Sequence, residues 1–205
     1  MEKILARAGS YLFHPLIMTS LGMLLILNSG SSLSVLQKEV KQITMIVTIL
    51  FTFVFPAGMI ILLYITKVIK NIELYERKER TLPISLTIVL YMLTFFVMRS
   101  IPQLTGGHIV YLFCPPAALF IALIFNNFMK PSIHMLGIGF LNGALLILIL
   151  FYGASIQFIF ILSLLVAGVL GTSRLLLEIH NPKEIAVGYL CGFLVTTAVM
   201  LLYVR

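Results

Sequence analysis

Charged residues in this chain fall in clusters separated by long stretches that carry no Asp, Glu, Lys or Arg, and those stretches predict its elements. A charged side chain at the centre of a membrane helix costs about 2.5 to 3.5 kcal/mol on the insertion scale, and about 20 apolar residues cross a bilayer. Uncharged stretches of that length therefore read as spans. The first lies between Arg7 and Lys38, centred on Tyr11 to Leu27, and the second on Ile43 to Ile65, with Pro56 as the expected kink. A shorter third runs from Pro83 to Met98. A fourth, Ile109 to Phe128, is interrupted by Cys114-Pro115-Pro116, which predicts a break tolerated only in a helix buried by its neighbours.

Residues 131–173 are uncharged throughout, too many for one crossing and enough for a fifth and a sixth span joined at Tyr152-Gly153-Ala154-Ser155. The seventh, Ile185 to Val204, follows Asn181-Pro182-Lys183-Glu184, a helix start with Asn as cap, Pro at the first position and Glu at the third. The expected fold is all-α: a polytopic bundle of six to seven transmembrane helices, one integral-membrane domain over residues 1–205, without internal repeats or low-complexity segments.

Composition narrows the class further. Of 205 residues, 60% are hydrophobic and 10% charged, against about a quarter charged in a soluble domain, which excludes the soluble globular classes. The net charge of +7 fits an anionic lipid surface or a phosphorylated substrate, not nucleic acid. Cys114 and Cys191 lie inside apolar runs with neither metal nor disulfide spacing. Lys3 and Arg7 precede an apolar stretch in the manner of a signal peptide, but without a convincing small-residue cleavage site the segment reads as a retained span of a protein in a cytoplasmic (inner) membrane.

With seven crossings the N-terminus and the loops 67–82, 128–133 and 173–184 share one face. That face carries most of the basic residues, leaving Lys38, Lys41, Arg99 and Arg205 for the other. Taken alone, the excess of Lys and Arg makes it cytoplasmic. If Lys70, Arg77, Lys78, Arg80, Lys130 and Arg174 bind phosphate, the remaining charges balance and sidedness stays open.

On this same face His134 and His180 stand at membrane boundaries beside Lys130, Ser132, Arg174 and Glu184. Cationic clamps, a nucleophile and a proton donor are what metal-free phosphoryl transfer requires. His14 and His108 read as structural or interfacial. Glu73, Glu76 and Glu79 read as a solvated face paired with neighbouring Lys and Arg.

Ser173-Arg174, five residues, His180, three residues and Glu184 resemble the third signature of the type-2 phosphatidic acid phosphatase superfamily, Ser-Arg-x5-His-x3-Asp, with Glu in the Asp place. Pro131-Ser132-Ile133-His134 is similar to its second signature, Pro-Ser-Gly-His, with Ile for Gly. Lys70 to Pro83 resembles a degenerate first signature, Lys-x6-Arg-Pro, in one of two registers. Lys70 with Arg77 keeps the separation but places Lys78 where Pro is expected; Arg80 with Pro83 is the other, and Glu73 then takes the Lys place.

The resemblance implies a phosphohistidine mechanism without metal or other cofactor. His180 would be the nucleophile, Glu184 would orient it, and His134 would protonate the leaving alcohol. Arg174 and Ser132 with its backbone amide would hold phosphate oxygens, joined by Arg77 or Arg80 and by Lys70, Lys78 or Lys130. The implied substrate is a lipid phosphate, and phosphatidate, phosphatidylglycerol phosphate, an undecaprenyl (pyro)phosphate carrier and a lipid A phosphate all remain compatible. Ile133 replaces a Gly that would let the backbone approach phosphate closely, so a catalytically impaired binding or scaffold protein is a second reading and an unrelated transporter a third.

Overall fold

The computed structural model describes residues 2–74 and 76–205. Among these residues the regular structure is helical, without strands: α1 (Glu2–Leu12), α2 (Pro15–Asn28), α3 (Lys38–Ile49), α4 (Phe55–Ile65), α5 (Thr81–Arg99), α6 (Gly106–Phe125), α7 (Ile133–Phe151), α8 (Gln157–Leu176) and α9 (Pro182–Val204). Among the described residues six stretches are long and apolar enough to cross a membrane, α3 through α4 counting as one, and the bent pair of α1 and α2 would make a seventh if taken as one span. Large apolar side chains such as Ile61, Leu62, Leu164 and Leu165 lie exposed on their outer faces, where lipid would cover them. The protein is an all-α, multi-pass membrane bundle.

The expected first span, Tyr11 to Leu27, is not one straight helix. α1 and α2 meet at a 53° bend, and α2 alone has 14 residues, a rise of about 21 Å against a hydrocarbon core of about 30 Å. The cause is local. Pro15 disfavours helical backbone in the residue before it, so His14 is extended at φ −64° and ψ 136° and caps α2, its Nδ1 accepting from the Leu16 amide at 3.4 Å.

Pro56 acts differently from a kink alone. It has no amide to give to the carbonyl four residues back. Leu50–Val54 winds as a π turn joining α3 to α4, and the Thr52 carbonyl accepts from the Tyr91 hydroxyl of α5 at 3.0 Å. The break expected at Cys114-Pro115-Pro116 does not occur. α6 runs through both prolines, which are buried.

α7 is the most buried span, and it lies along α9 in the same direction. Their approach needs small residues. A side chain at Gly139 would run into the Tyr189 carbonyl, and one at Gly192 into the Leu136 carbonyl. Because the two helices start side by side, the backbone amide of Ser132 donates to the Glu184 carbonyl at 3.0 Å. The Arg80 guanidinium reaches Pro131, and Arg174 reaches Ser10. The N-terminus and the three loops expected on one face are thus gathered at one end of the bundle.

Candidate active site

At that end a cavity of about 790 Å³ opens, lined at its polar rim by Arg80, Lys130, His134, Arg174 and His180. Its deeper wall is built from Leu16, Ile60, Ile84, Leu119, Leu136 and Phe140. Tyr91, also a wall residue, lies eleven positions into α5 from Arg80, which is about 16 Å at the helical rise and roughly half the hydrocarbon thickness. The space joins a cationic head to an apolar tail.

His180 sits between α8 and α9, 7% exposed. Its Nδ1 is 3.0 Å from Oε2 of Glu184, and the same oxygen accepts from the Asn181 amide at 3.2 Å while the Glu184 amide donates to Oδ1 of Asn181 at 3.0 Å. The cap of α9 and the orientation of the imidazole therefore share one carboxylate. A carboxylate can only accept, so Nδ1 carries the hydrogen and Nε2 keeps its lone pair. Burial lowers the His180 pKa below its ordinary 6.5, the Arg80 field lowers it further, and Lys130 and Arg174 add to this against the opposing Glu184 hydrogen bond. The ring is neutral at pH 7.

Two guanidiniums flank it. Arg80 is 4% exposed, its Nε donating to the Leu74 carbonyl at 2.8 Å and Nη1 to the Pro131 carbonyl at 3.1 Å. No carboxylate lies within ion-pair distance of Arg80 among the described residues. A buried cation without a carboxylate is costly unless an anion comes to it. Arg174, 6% exposed, donates from Nη1 to the Ser10 hydroxyl at 3.3 Å. Lys130 reaches the cavity from the α6–α7 loop, and burial is the first cause lowering its pKa, with Arg80 and Arg174 adding to it.

His134, in the first turn of α7, donates from Nε2 to the Ser10 carbonyl at 3.2 Å and stands edge-on to His14, ring centres 5.6 Å apart. Two imidazoles and three cations of the expected set thus share one cavity, with Glu184 behind His180.

Four residues of that set are not brought there. Ser132 is fully buried as the cap of α7 and does not line the cavity, its hydroxyl accepting from the Met135 amide and its own amide already given to the Glu184 carbonyl. Arg77 and Lys78 are exposed and do not line the cavity. Lys70 is exposed and bound by Glu76 at 3.1 Å and Glu79 at 3.8 Å, which raises its pKa. Of the two registers, the structure places Arg80 and Pro83 on the cavity wall, with Glu73 beside them.

One wall of the cavity, from α1 and the bend after it, is not signalled by any motif in the sequence. Arg7, Ser10, Tyr11 and His14 all line the cavity. Arg7, Ser10 and Tyr11, at spacings of three and four, share one stripe of α1, and His14 joins them from the bend that follows. Among the described residues no group of three or more His, Cys, Asp or Glu is placed to hold a metal ion. No protein-family model, curated protein or solved structure matches the chain.

Proposed function

We propose that the protein is a lipid phosphate phosphatase of the type-2 phosphatidic acid phosphatase kind, in a cytoplasmic-type membrane, and that it works through a phosphohistidine at His180. The observation that carries this reading is the His180–Glu184 pair set in one cavity with the buried guanidiniums of Arg80 and Arg174. The apolar depth beneath them suits the chain of a lipid, phosphomonoester or pyrophosphate alike.

In this mechanism Nε2 of neutral His180 attacks phosphorus, and Glu184 stabilises the imidazolium that forms. Arg80 and Arg174 take the equatorial oxygens, where planar forks match phosphate geometry, with Lys130 adding charge. The bond from phosphorus to the leaving oxygen breaks, and His134, which enters this step as the imidazolium with the negative charge of the bound phosphate beside it, gives a proton to that oxygen. Because its Nε2–H rests on the Ser10 carbonyl, Nδ1 is the nitrogen left to exchange that proton. His134 then takes a proton from water as the water attacks the phosphohistidine, releasing inorganic phosphate and restoring His180.

A second reading, an anion-binding protein without turnover, draws on two observations: the Ser132 amide is occupied, and Glu73 lines the cavity where the resemblance would place a Lys. Phosphate release by the detergent-purified protein, assayed over phosphatidate, phosphatidylglycerol phosphate, an undecaprenyl pyrophosphate and lipid A phosphate, separates the two. The phosphatase reading expects release from at least one substrate and none with His180→Ala. Binding without release supports the second.

A further inference from the structure

The end of α1 is where the local rules of the chain reach the chemistry. A helix leaves its last carbonyls without partners of their own. Here the Gly9 carbonyl is taken by the Phe13 amide. The next one, on Ser10, would ordinarily bond residue 14, but His14 leaves the helix ahead of Pro15. The Ser10 carbonyl instead accepts from Nε2 of His134 at 3.2 Å, from a helix remote in sequence. The Ser10 side chain makes a second connection. Its hydroxyl donates to the Ala6 carbonyl at 2.9 Å, which turns a lone pair toward Nη1 of Arg174 at 3.3 Å. Ser10 is 6% exposed.

α1 packs along α8 but buries few side chains there. Ala6 and Ser10 are its buried residues, Ile4, Leu5, Tyr11 and Leu12 are exposed, and its Lys3–Glu178 ion pair, at 3.5 Å, is solvated. This helix touches two residues of the cavity that come from different spans, His134 of α7 and Arg174 of α8.

We infer that Ser10 is a positioning residue of this site, its hydroxyl setting the Arg174 guanidinium and its carbonyl the His134 ring, so that α1 is part of the catalytic apparatus. The inference rests on the phosphatase reading above for the roles of Arg174 and His134. Catalytic groups lose much of their effect when displaced by about an ångström, and one residue here references the oxygen clamp and the proton donor to each other.

The test compares Ser10→Ala, Ser10→Cys and Ser10→Thr in the full-length protein. Cys keeps the volume but is a weak acceptor, whereas Thr keeps the hydroxyl and its bond to the carbonyl four residues back. The expected result is a rise in KM for the lipid phosphate of about tenfold or more in Ala and Cys, as befits one hydrogen bond to a charged group. kcat should stay within about threefold and thermal stability should hold, while Thr lies near wild type. A packing role predicts the reverse order, with Cys restoring wild-type behaviour, and that outcome, or an unchanged KM in Ala, overturns the inference.

Ala6→Phe, at a buried position off the cavity, pries α1 from α8 and removes both contacts. It should lower turnover of the lipid more than turnover of p-nitrophenyl phosphate, whose leaving group needs no proton. Equal losses on both overturn the part assigned to His134. Should the wild type release no phosphate, the phosphatase reading fails by itself, and thermal stabilisation by inorganic phosphate still reads the Arg174 clamp. A gain retained in Thr and lost in Ala and Cys supports Ser10. No gain in the wild type, or an equal gain in all variants, overturns it.

Discussion

One oxygen of Glu184 binds the Asn181 amide and the His180 imidazole at once. The residue that starts α9 is therefore the residue that aims the candidate nucleophile, and the two roles separate by substitution. Glu184→Gln keeps an acceptor for the cap but loses the charge that stabilises the imidazolium, so turnover should fall about 10- to 100-fold while thermal stability holds. Glu184→Asp keeps the charge and should retain more activity. Full activity in Gln, measured alongside its melting temperature, would remove Glu184 from the mechanism.

The two imidazoles should separate by leaving group. His180→Ala abolishes turnover of every substrate. His134→Ala suffers on lipid substrates by the 10²- to 10⁴-fold typical of a lost general acid and by much less on p-nitrophenyl phosphate. Equal losses across both substrates would contradict the assignment of His134.

Arg80 should matter where Arg77, Lys78 and Lys70 do not. Arg80→Gln removes a buried cation from the cavity and should cost roughly 100-fold or more in kcat/KM, whereas Gln at the other three positions should stay within about twofold. An Arg77 effect as large as that of Arg80 would restore the other register.

These same charges set a pH dependence. Burial and the fields of Arg80, Lys130 and Arg174 lower the His180 pKa, against Glu184. The nucleophile is active when neutral, so the acid limb of kcat/KM should lie below pH 6.5, the value of an ordinary His. Arg80→Gln removes a lowering influence and should move that limb upward. A wild-type limb above 6.5, or a downward shift in the variant, is the contrary result.

Sidedness follows from the gathering of the loops. Single cysteines replacing the exposed Lys78, Asn127 and Lys183 should react with an impermeant thiol reagent from one side, and one replacing Lys38 from the other. Cys114 and Cys191 are buried and should give little background. Labelling of Lys183 from the side of Lys38 would break the arrangement.

What was legible in the sequence follows the range of the forces involved. Spans were visible because charge exclusion from hydrocarbon acts residue by residue, and the start of α9 because a capping box is local. The bend at His14 was also local, written in the Pro that follows, but the hydrophobicity of the whole stretch masked it. The fate of Cys114-Pro115-Pro116 depended on neighbours and could not be read from the prolines. Ser132 looked like a phosphate ligand because its motif position is all that a sequence records. That α9 packs close enough to take its amide depends on Gly139 and Gly192 meeting carbonyls of the facing helix. Choosing between Arg77 and Arg80 needed the loop's path, and Ser10 needed the approach of three helices.

The central claim is that phosphate passes through His180, and trapping the intermediate tests it most directly. Purified protein mixed with lipid phosphate, quenched in alkaline denaturant and analysed by peptide mass spectrometry, should carry one added phosphoryl group on His180, absent from His180→Ala. Accumulation should increase in His134→Ala, which lacks the base for hydrolysis, when p-nitrophenyl phosphate is the donor. Phosphate release from the wild type with no phosphoryl group on His180, or with turnover surviving in His180→Ala, would contradict the account.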